Sequence, residues 1–394
     1  MAGGFPFEGD AELVGDDDFR KAFGEDLSAT LDLDTWSQGL DIEGIMDRFR
    51  SEIAGAVDKE GRARTIIRNE VFPLIANRPG APKKAGVYQT TAEELETIHN
   101  GLLFTGRVEA IHGSTTNHES LPLGITQLGI ALVGYGGTSG TFSQRLFRKE
   151  MAQQSASPVQ DALDCIFSRT RRSSGPRQDT LSKLARRGIR TYAERAVLVE
   201  KASAEWRIGH GNPCAFELLS GSGYRSLLVA SLKVLRKLVQ RHQKFVFVSS
   251  EMEERGFLTL GHALRAGEYA IIETLERFGE RVVNRWEYEG DSSRLAQSFV
   301  EECCPDIVCG VFRASERTPP RAFYAHREHV DFAVRVALAD SILRPERGFP
   351  MLLDVAETAC RSAFGEDGFL GLIHDAYAQA GAHLEYFTDR IKSR

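Results

Sequence analysis

The densest concentration of chemistry-bearing side chains in this 394-residue sequence is basic. Between residues 165 and 195, Arg169, Arg171, Arg172, Arg177, Lys183, Arg186, Arg187, Arg190 and Arg195 face only Asp179 and Glu194. That many cations in one stretch make a phosphate-contacting surface, because affinity for a phosphate backbone comes largely from the counterions that Lys and Arg release. A solvated helix face followed by a loop is the alternative, since charge runs are often only solvated. Motifs for other chemistries are incomplete. Gly134-Tyr135-Gly136-Gly137-Thr138-Ser139-Gly140 has no following Lys-Ser or Lys-Thr to make a phosphate cradle, and reads as a turn. Leu219-Ser220-Gly221-Ser222-Gly223 lacks the first glycine of a nucleophile elbow. His118-Glu119 has no second histidine at metalloprotease spacing, and His326 and His329 are three apart in a segment that reads as extended. None of the six cysteines makes a CxxC pair, so they read as reduced, buried thiols; Cys303, Cys304 and Cys309 want a fourth ligand for zinc.

These side chains need a scaffold, and the composition provides for one. Hydrophobic residues at 42% and charged residues at 26% match a folded globular chain and exclude disordered and collagenous classes. The best apolar run, 121–135, is too short for a membrane span and is broken by Pro122, Gly124, Gln127 and Gly129. With no secretory signal at the start, a cytoplasmic protein without a membrane association is the expectation. The net charge of −6 hides an asymmetry: residues 1–60 hold 16 acids and 5 bases, and the remainder holds 39 acids and 44 bases. We therefore expect an acidic flexible arm over 1–40, an N-terminal helical region over 41–106 and a main domain over 107–394.

Ile42, Ile45, Met46, Phe49, Ile53 and Val57 recur at helical spacing, and 66–75 continues as a second amphipathic segment. Thr91 and Glu94 form a capping box that opens a short helix after a linker at 77–86. Beyond residue 107 strands and helices alternate. Strands are expected at 108–111, 121–133 with a bulge after Ile125, 142–147, 245–248, 307–312 and 322–325. Helices are expected at 191–206, 226–242, 260–278, 332–343, 351–364 and 370–380. The fold class expected is α/β, a mixed sheet flanked by helices.

Three segments stand out in order. Ile111-His112-Gly113-Ser114 closes a strand and precedes a long apolar hairpin. Phe216-Glu217-Leu218-Leu219-Ser220-Gly221-Ser222 is apolar and ends in Ser-Gly-Ser, and Gly348-Phe349-Pro350-Met351-Leu352-Leu353 runs into an Ala-rich helix. Together they resemble the NurA family, nucleases that pair with HerA-type hexameric ATPases and adopt an RNase H-like fold. The resemblance spans about residues 107–360 and implies an RNase H-like sheet acting on DNA as a homodimer beside a HerA-like hexameric ATPase, in end processing, recombination or phage defence.

It also implies a manganese cofactor, or magnesium in its place, because two-metal phosphodiester hydrolysis needs several carboxylates converging on metals about 3.5–4 Å apart. His112 stands where the family has its first aspartate, and Ser220 where it has the strand aspartate. Either Glu194 or Glu200 matches the helix glutamate; six apart, both cannot face one site. Glu217, Asp354 and Glu357 are further carboxylates, with Glu357 where the family often has a histidine. His112, Glu200 and Glu357 are thus expected metal ligands, and Tyr324 and His326 match the family's late aromatic strand. Arg169, Arg171, Arg172, Arg177, Arg186, Arg187 and Arg190 would guide the DNA strand. A NurA-like body that has lost its acids and serves as a structural or DNA-clamping subunit is the alternative, and a small-molecule hydrolase a third.

Overall fold

The computed structural model describes residues 16–36, 42–119, 123–137, 140–150, 159, 163, 166, 167, 175–250, 255–286 and 290–381. It divides into two compact units, 1–69 and 70–394. The first holds the helices α1 (Asp16–Phe23), α2 (Leu27–Leu31) and α3 (Ile42–Ile66), the last carrying its apolar residues on one face.

The second unit begins with α4 (Phe72–Ile75), β1 (Gly86–Gln89) and α5 (Ala92–Ile98). Then come β2 (Val108–Glu119), β3 (Leu123–Val133), β4 (Gly140–Glu150), α6 (Gly175–Glu200), β5 (Trp206–His210), α7 (Phe216–Leu219), α8 (Arg225–Arg241) and β6 (Phe245–Ser249). After these follow α9 (Arg255–Ala263), β7 (Glu268–Thr274), α10 (Glu276–Trp286), α11 (Gly290–Cys303), β8 (Ile307–Phe312) and β9 (Arg321–His326). The helices α12 (Val330–Ser341), α13 (Met351–Phe364) and α14 (Glu366–Gln379) finish the described chain.

Nine strands form one sheet in the order β1-β7-β8-β9-β6-β5-β2-β3-β4. Three long strands, β2, β3 and β4, make an antiparallel meander. On the other side of β2 lies β5, parallel to it, and next to that β6, parallel again. Meander first, then two parallel strands, is the RNase H-like arrangement; β9, β8, β7 and β1 extend it antiparallel. The fold is therefore a mixed α/β sheet flanked by helices. One face packs under α5, α12 and α13, with Val334, Leu338 and Leu352 in its core. The opposite face packs under α6, α8 and α11, with Leu198, Leu235 and Phe299. Central strands buried on both faces read as apolar runs, which is why 245–248 and 307–312 are legible as strands.

Five sequence expectations are overturned. The strand expected at 108–111, closed by Ile111–Ser114, is the twelve-residue β2, which places His112 within the strand and not at its end. Residues 260–278 are not one helix: α9 ends at Ala263, and β7 begins at Glu268 after a turn that closes on Gly267 at a φ of +78°. Pairing of β2 with β3 runs without interruption through Asn117↔Thr126 and Thr116↔Gln127, so no bulge follows Ile125. The helix expected over 191–206 ends at Glu200, and Trp206 opens β5. Residues 216–222, where the family resemblance implies a strand, form the single helical turn α7 and a 3-10 turn. Among the described residues no helix is long and apolar enough to cross a membrane.

Candidate functional site

Ladder pairing between β2 and β5 stops at Ala110 and Ile208. Beyond it β2 runs on to Glu119 beside β3, whereas β5 ends at His210 beside β6. A strand whose neighbours leave in opposite senses opens a crevice at its carboxyl side, the usual ligand position in open α/β sheets. His112 lies in this crevice on β2, and His210 closes β5, with the two ring centroids 6.5 Å apart.

Helix α6 enters the crevice from one face. Glu194 is buried, and its Oε1 accepts a hydrogen bond from the Gly113 amide at 3.1 Å. A Cβ at position 113 would lie 2.6 Å from that oxygen, so glycine is what admits the carboxylate to the strand. Arg195, fully buried, donates to Glu194 Oε2 at 3.1 Å and to the carbonyls of His210 and Asn212 at 2.9 and 3.0 Å. It lies 4.5 Å over the Phe247 ring, a cation–π contact that offsets part of its burial. Arg190, one turn earlier, approaches Glu194 at 3.9 Å.

Helix α13 enters from the other face. Cys360 donates its thiol hydrogen to Ser114 Oγ at 3.3 Å, and Glu357 pairs with Arg361 at 2.7 Å. Asp354, largely buried, takes both Arg344 at 3.2 Å and Arg347 at 3.0 Å. The start of α13 has no side-chain cap of its own. Asp340 of α12 supplies one: its Oδ2 accepts from the Leu352 amide at 2.8 Å, and its Oδ1 from the Tyr135 hydroxyl at 2.5 Å. Complete burial pushes the Asp340 carboxyl up to about 6 against those two hydrogen bonds.

Burial sets the charge of the imidazoles. It pushes His112 below its ordinary value more than Glu194 and Glu357 pull it up, with Arg190 and Arg361 adding to the depression. His210 is lowered for the same reason, also against the pull of Glu194, and its Nε2 lies 3.0 Å from Ser250 Oγ. Both rings are neutral at pH 7. Burial raises the Asp354 carboxyl, and Arg347 and Arg344 oppose that rise. Three carboxylates, Glu194, Asp354 and Glu357, thus meet five arginines around two neutral rings. The crevice is net positive, and every carboxylate in it is held by a guanidinium.

The other expected residues lie elsewhere. Glu200, the alternative to Glu194, ends α6 half-exposed and pairs with Lys237 at 2.5 Å. Glu217 sits on α7 rather than on a strand and pairs with Arg187 at 2.5 Å. Ser220 is buried behind it and caps the following turn, accepting from the Ser222 amide at 3.2 Å. Tyr324 and His326 are on β9, which runs antiparallel to β6, so His326 lies at the end of the sheet opposite His210. Its nearest charged neighbours are Asp306, Arg327 and Glu328. Arg321, at the near end of β9, instead reaches the Ser250 carbonyl at 2.6 Å. Arg186 donates to Asn117 Oδ1 at 3.2 Å. Arg169, Arg171 and Arg172 lie outside the described residues, as does the side chain of Arg177 on α6. His210, Arg344, Arg347 and Arg361 are absent from the sequence reading; alternation in Trp206–His210 would have revealed β5 had the preceding helix been ended at Glu200.

A cofactor implied by the family resemblance can be tested on these donors. Among the described residues no three His, Cys, Asp or Glu side chains converge closely enough to hold a metal ion. Glu194 spends its two oxygens on the Gly113 amide and Arg195, and Glu357 faces Arg361. Neutral imidazoles cannot bridge two cations. This set does not fit a two-metal centre.

The chain is similar in fold to NurA nucleases. The NurA nuclease from Sulfolobus solfataricus matches with a TM-score of 0.47 at 9% identity, covering 86% of this chain and 98% of that one. A NurA structure with manganese matches at 0.39 and 9%, covering 68% and 92%. One bound to dAMP and manganese matches at 0.40 and 9%, covering 81% and 93%. Likeness at this level says nothing of site chemistry. No protein-family model and no curated protein matches the chain.

Proposed function

We propose that this chain is a NurA-like protein that acts on DNA and receives the phosphodiester backbone in the crevice around His112. One observation carries the reading: five arginines against three carboxylates, gathered where β2 parts from β5, beside the middle of β2 and the carboxyl end of β5, around two uncharged imidazoles. Guanidinium forks match phosphate oxygens in geometry and charge, and an excess of them in a crevice favours an anion. The sequence resemblance adds the activity class, a nuclease dependent on manganese or magnesium. It also adds the setting, a homodimer beside a HerA-type hexameric ATPase in end processing, recombination or phage defence.

The arginine pairing of each crevice carboxylate favours a second form of the same reading, a DNA-clamping subunit that does not cut. Linear DNA incubated with the full chain, with manganese, magnesium or neither, and with and without its ATPase, separates the two. Cleavage lost in His112→Ala supports the nuclease. Salt-sensitive binding with no cleavage in any condition supports the clamp, and absence of both binding and cleavage rejects the proposal.

A further inference from the structure

Resting on the reading of the crevice as a DNA-backbone site, we infer that its carboxylates are competitors for its arginines, not ligands of a metal, so that DNA binds without a divalent ion and binds more tightly when a carboxylate is neutralised. The donor set that fails to fit two metals is arranged well for this alternative. Carboxylate and phosphate are the same kind of partner to a guanidinium fork, a planar or tetrahedral oxyanion reached through parallel N–H groups. Asp354 takes one guanidinium nitrogen from each of two arginines, a hydrogen bond from Arg344 to Oδ2 and an ion-pair contact of Arg347 with Oδ1. Glu357 pairs through Oε1 with one nitrogen of Arg361.

The arginines are more open to solvent than their partners, of which Asp354 is buried and Glu357 partly exposed. Side-chain exposure is 41% for Arg344, 48% for Arg347 and 72% for Arg361, against 9% for Asp354 and 28% for Glu357. An incoming phosphate therefore meets the cations first and needs no rearrangement of the buried acids. What it must overcome is their hold and their like charge. Burial already disfavours the ionised form of Asp354, so its carboxyl can take a proton when a phosphate draws its arginines away. The neutral His112 ring lies between the Glu357 and Glu194 sides without adding charge of its own.

The two roles predict opposite signs. A metal ligand changed to its amide weakens metal-dependent binding, whereas a competitor changed to its amide strengthens binding. The test measures the dissociation constant of a fluorescent single-stranded oligonucleotide for the full chain, in EDTA and in manganese, for wild type, Glu357→Gln, Asp354→Asn and Arg361→Ala. Thermal unfolding checks that each variant is folded, and having two amide variants keeps the test open if one fails. The expected result is binding equal in EDTA and manganese, tighter by about threefold to tenfold in each amide variant and weaker by about threefold to tenfold in Arg361→Ala. Binding that requires manganese, or amide variants that bind equally or less tightly, overturns the inference and leaves the DNA reading standing. No binding in any condition overturns both.

Discussion

Glycine at position 113 gives Glu194 its place. With 2.6 Å between a hypothetical Cβ and Glu194 Oε1, Gly113→Ala must push the carboxylate off the strand. The variant should lose about 1–3 kcal/mol of stability, read from urea unfolding, through a buried acceptor deprived of its donor. Asp340 gives a pH signature. Its carboxyl rises from 3.8 to about 6 on folding, so the folded state holds a proton that the unfolded state has released. Its contribution is therefore most favourable below pH 4 and is lost as pH rises to 6. At one pH unit per roughly 1.4 kcal/mol, the loss amounts to about 3 kcal/mol. Stability of Asp340→Asn relative to wild type should improve across that window, and a flat difference between pH 4 and 6.5 would show that Asp340 keeps its ordinary affinity for protons. The family resemblance offered Glu194 or Glu200 as the helix glutamate, and their spacing of six said only that both cannot face one site. Spacing could not say which of the two reaches β2, since what admits Glu194 is the space left by a glycine 81 positions away.

Helices from both faces meet the sheet at this crevice, and each depends on a tether. Arg195 ties α6 to the end of β5 and the loop after it through two carbonyl oxygens, those of His210 and Asn212, while fully buried. Arg195→Ala leaves the buried Glu194 with only the Gly113 amide and Arg190 at 3.9 Å as partners and should cost about 3 kcal/mol in chemical denaturation. Arg195→Lys should recover little, because a point charge cannot reproduce the fork. At the start of α5, Thr91 and Glu94 form the full capping box that their spacing announces, and Thr91→Ala should cost about 1 kcal/mol. Strongly periodic or uniformly apolar elements were legible for the same reason: α8, β6, β8 and α13 each show one clear period. β5 and β7 were not. Trp206–His210 follows a helix with only five residues between them, and Ala270, Ile271 and Ile272 continue the apolar content of α9, so periodicity alone ran the elements together.

At the scale of the molecule, the order β4-β3-β2-β5-β6 brings parts distant in sequence to one crevice: His112, Glu194, His210 and the arginines of α13 and the segment before it. Composition showed a mildly basic body and an acidic start, and part of the Arg-rich run falls on α6. The arginines at 344, 347 and 361 escaped notice because they are scattered singly and converge only when α13 docks on β2 and β3. A protein that holds a phosphodiester there must show it in salt dependence, since each arginine–phosphate contact releases a condensed ion.

Titration of an oligonucleotide against the full chain at several salt concentrations, for wild type and for the Arg190→Ala/Arg361→Ala double variant, tests this most directly. The account predicts a linear fall of log affinity with log salt, shallower in the double variant by about 1.4–1.8, two contacts at about 0.7–0.9 each. Equal slopes for the two proteins would place the DNA elsewhere and contradict it.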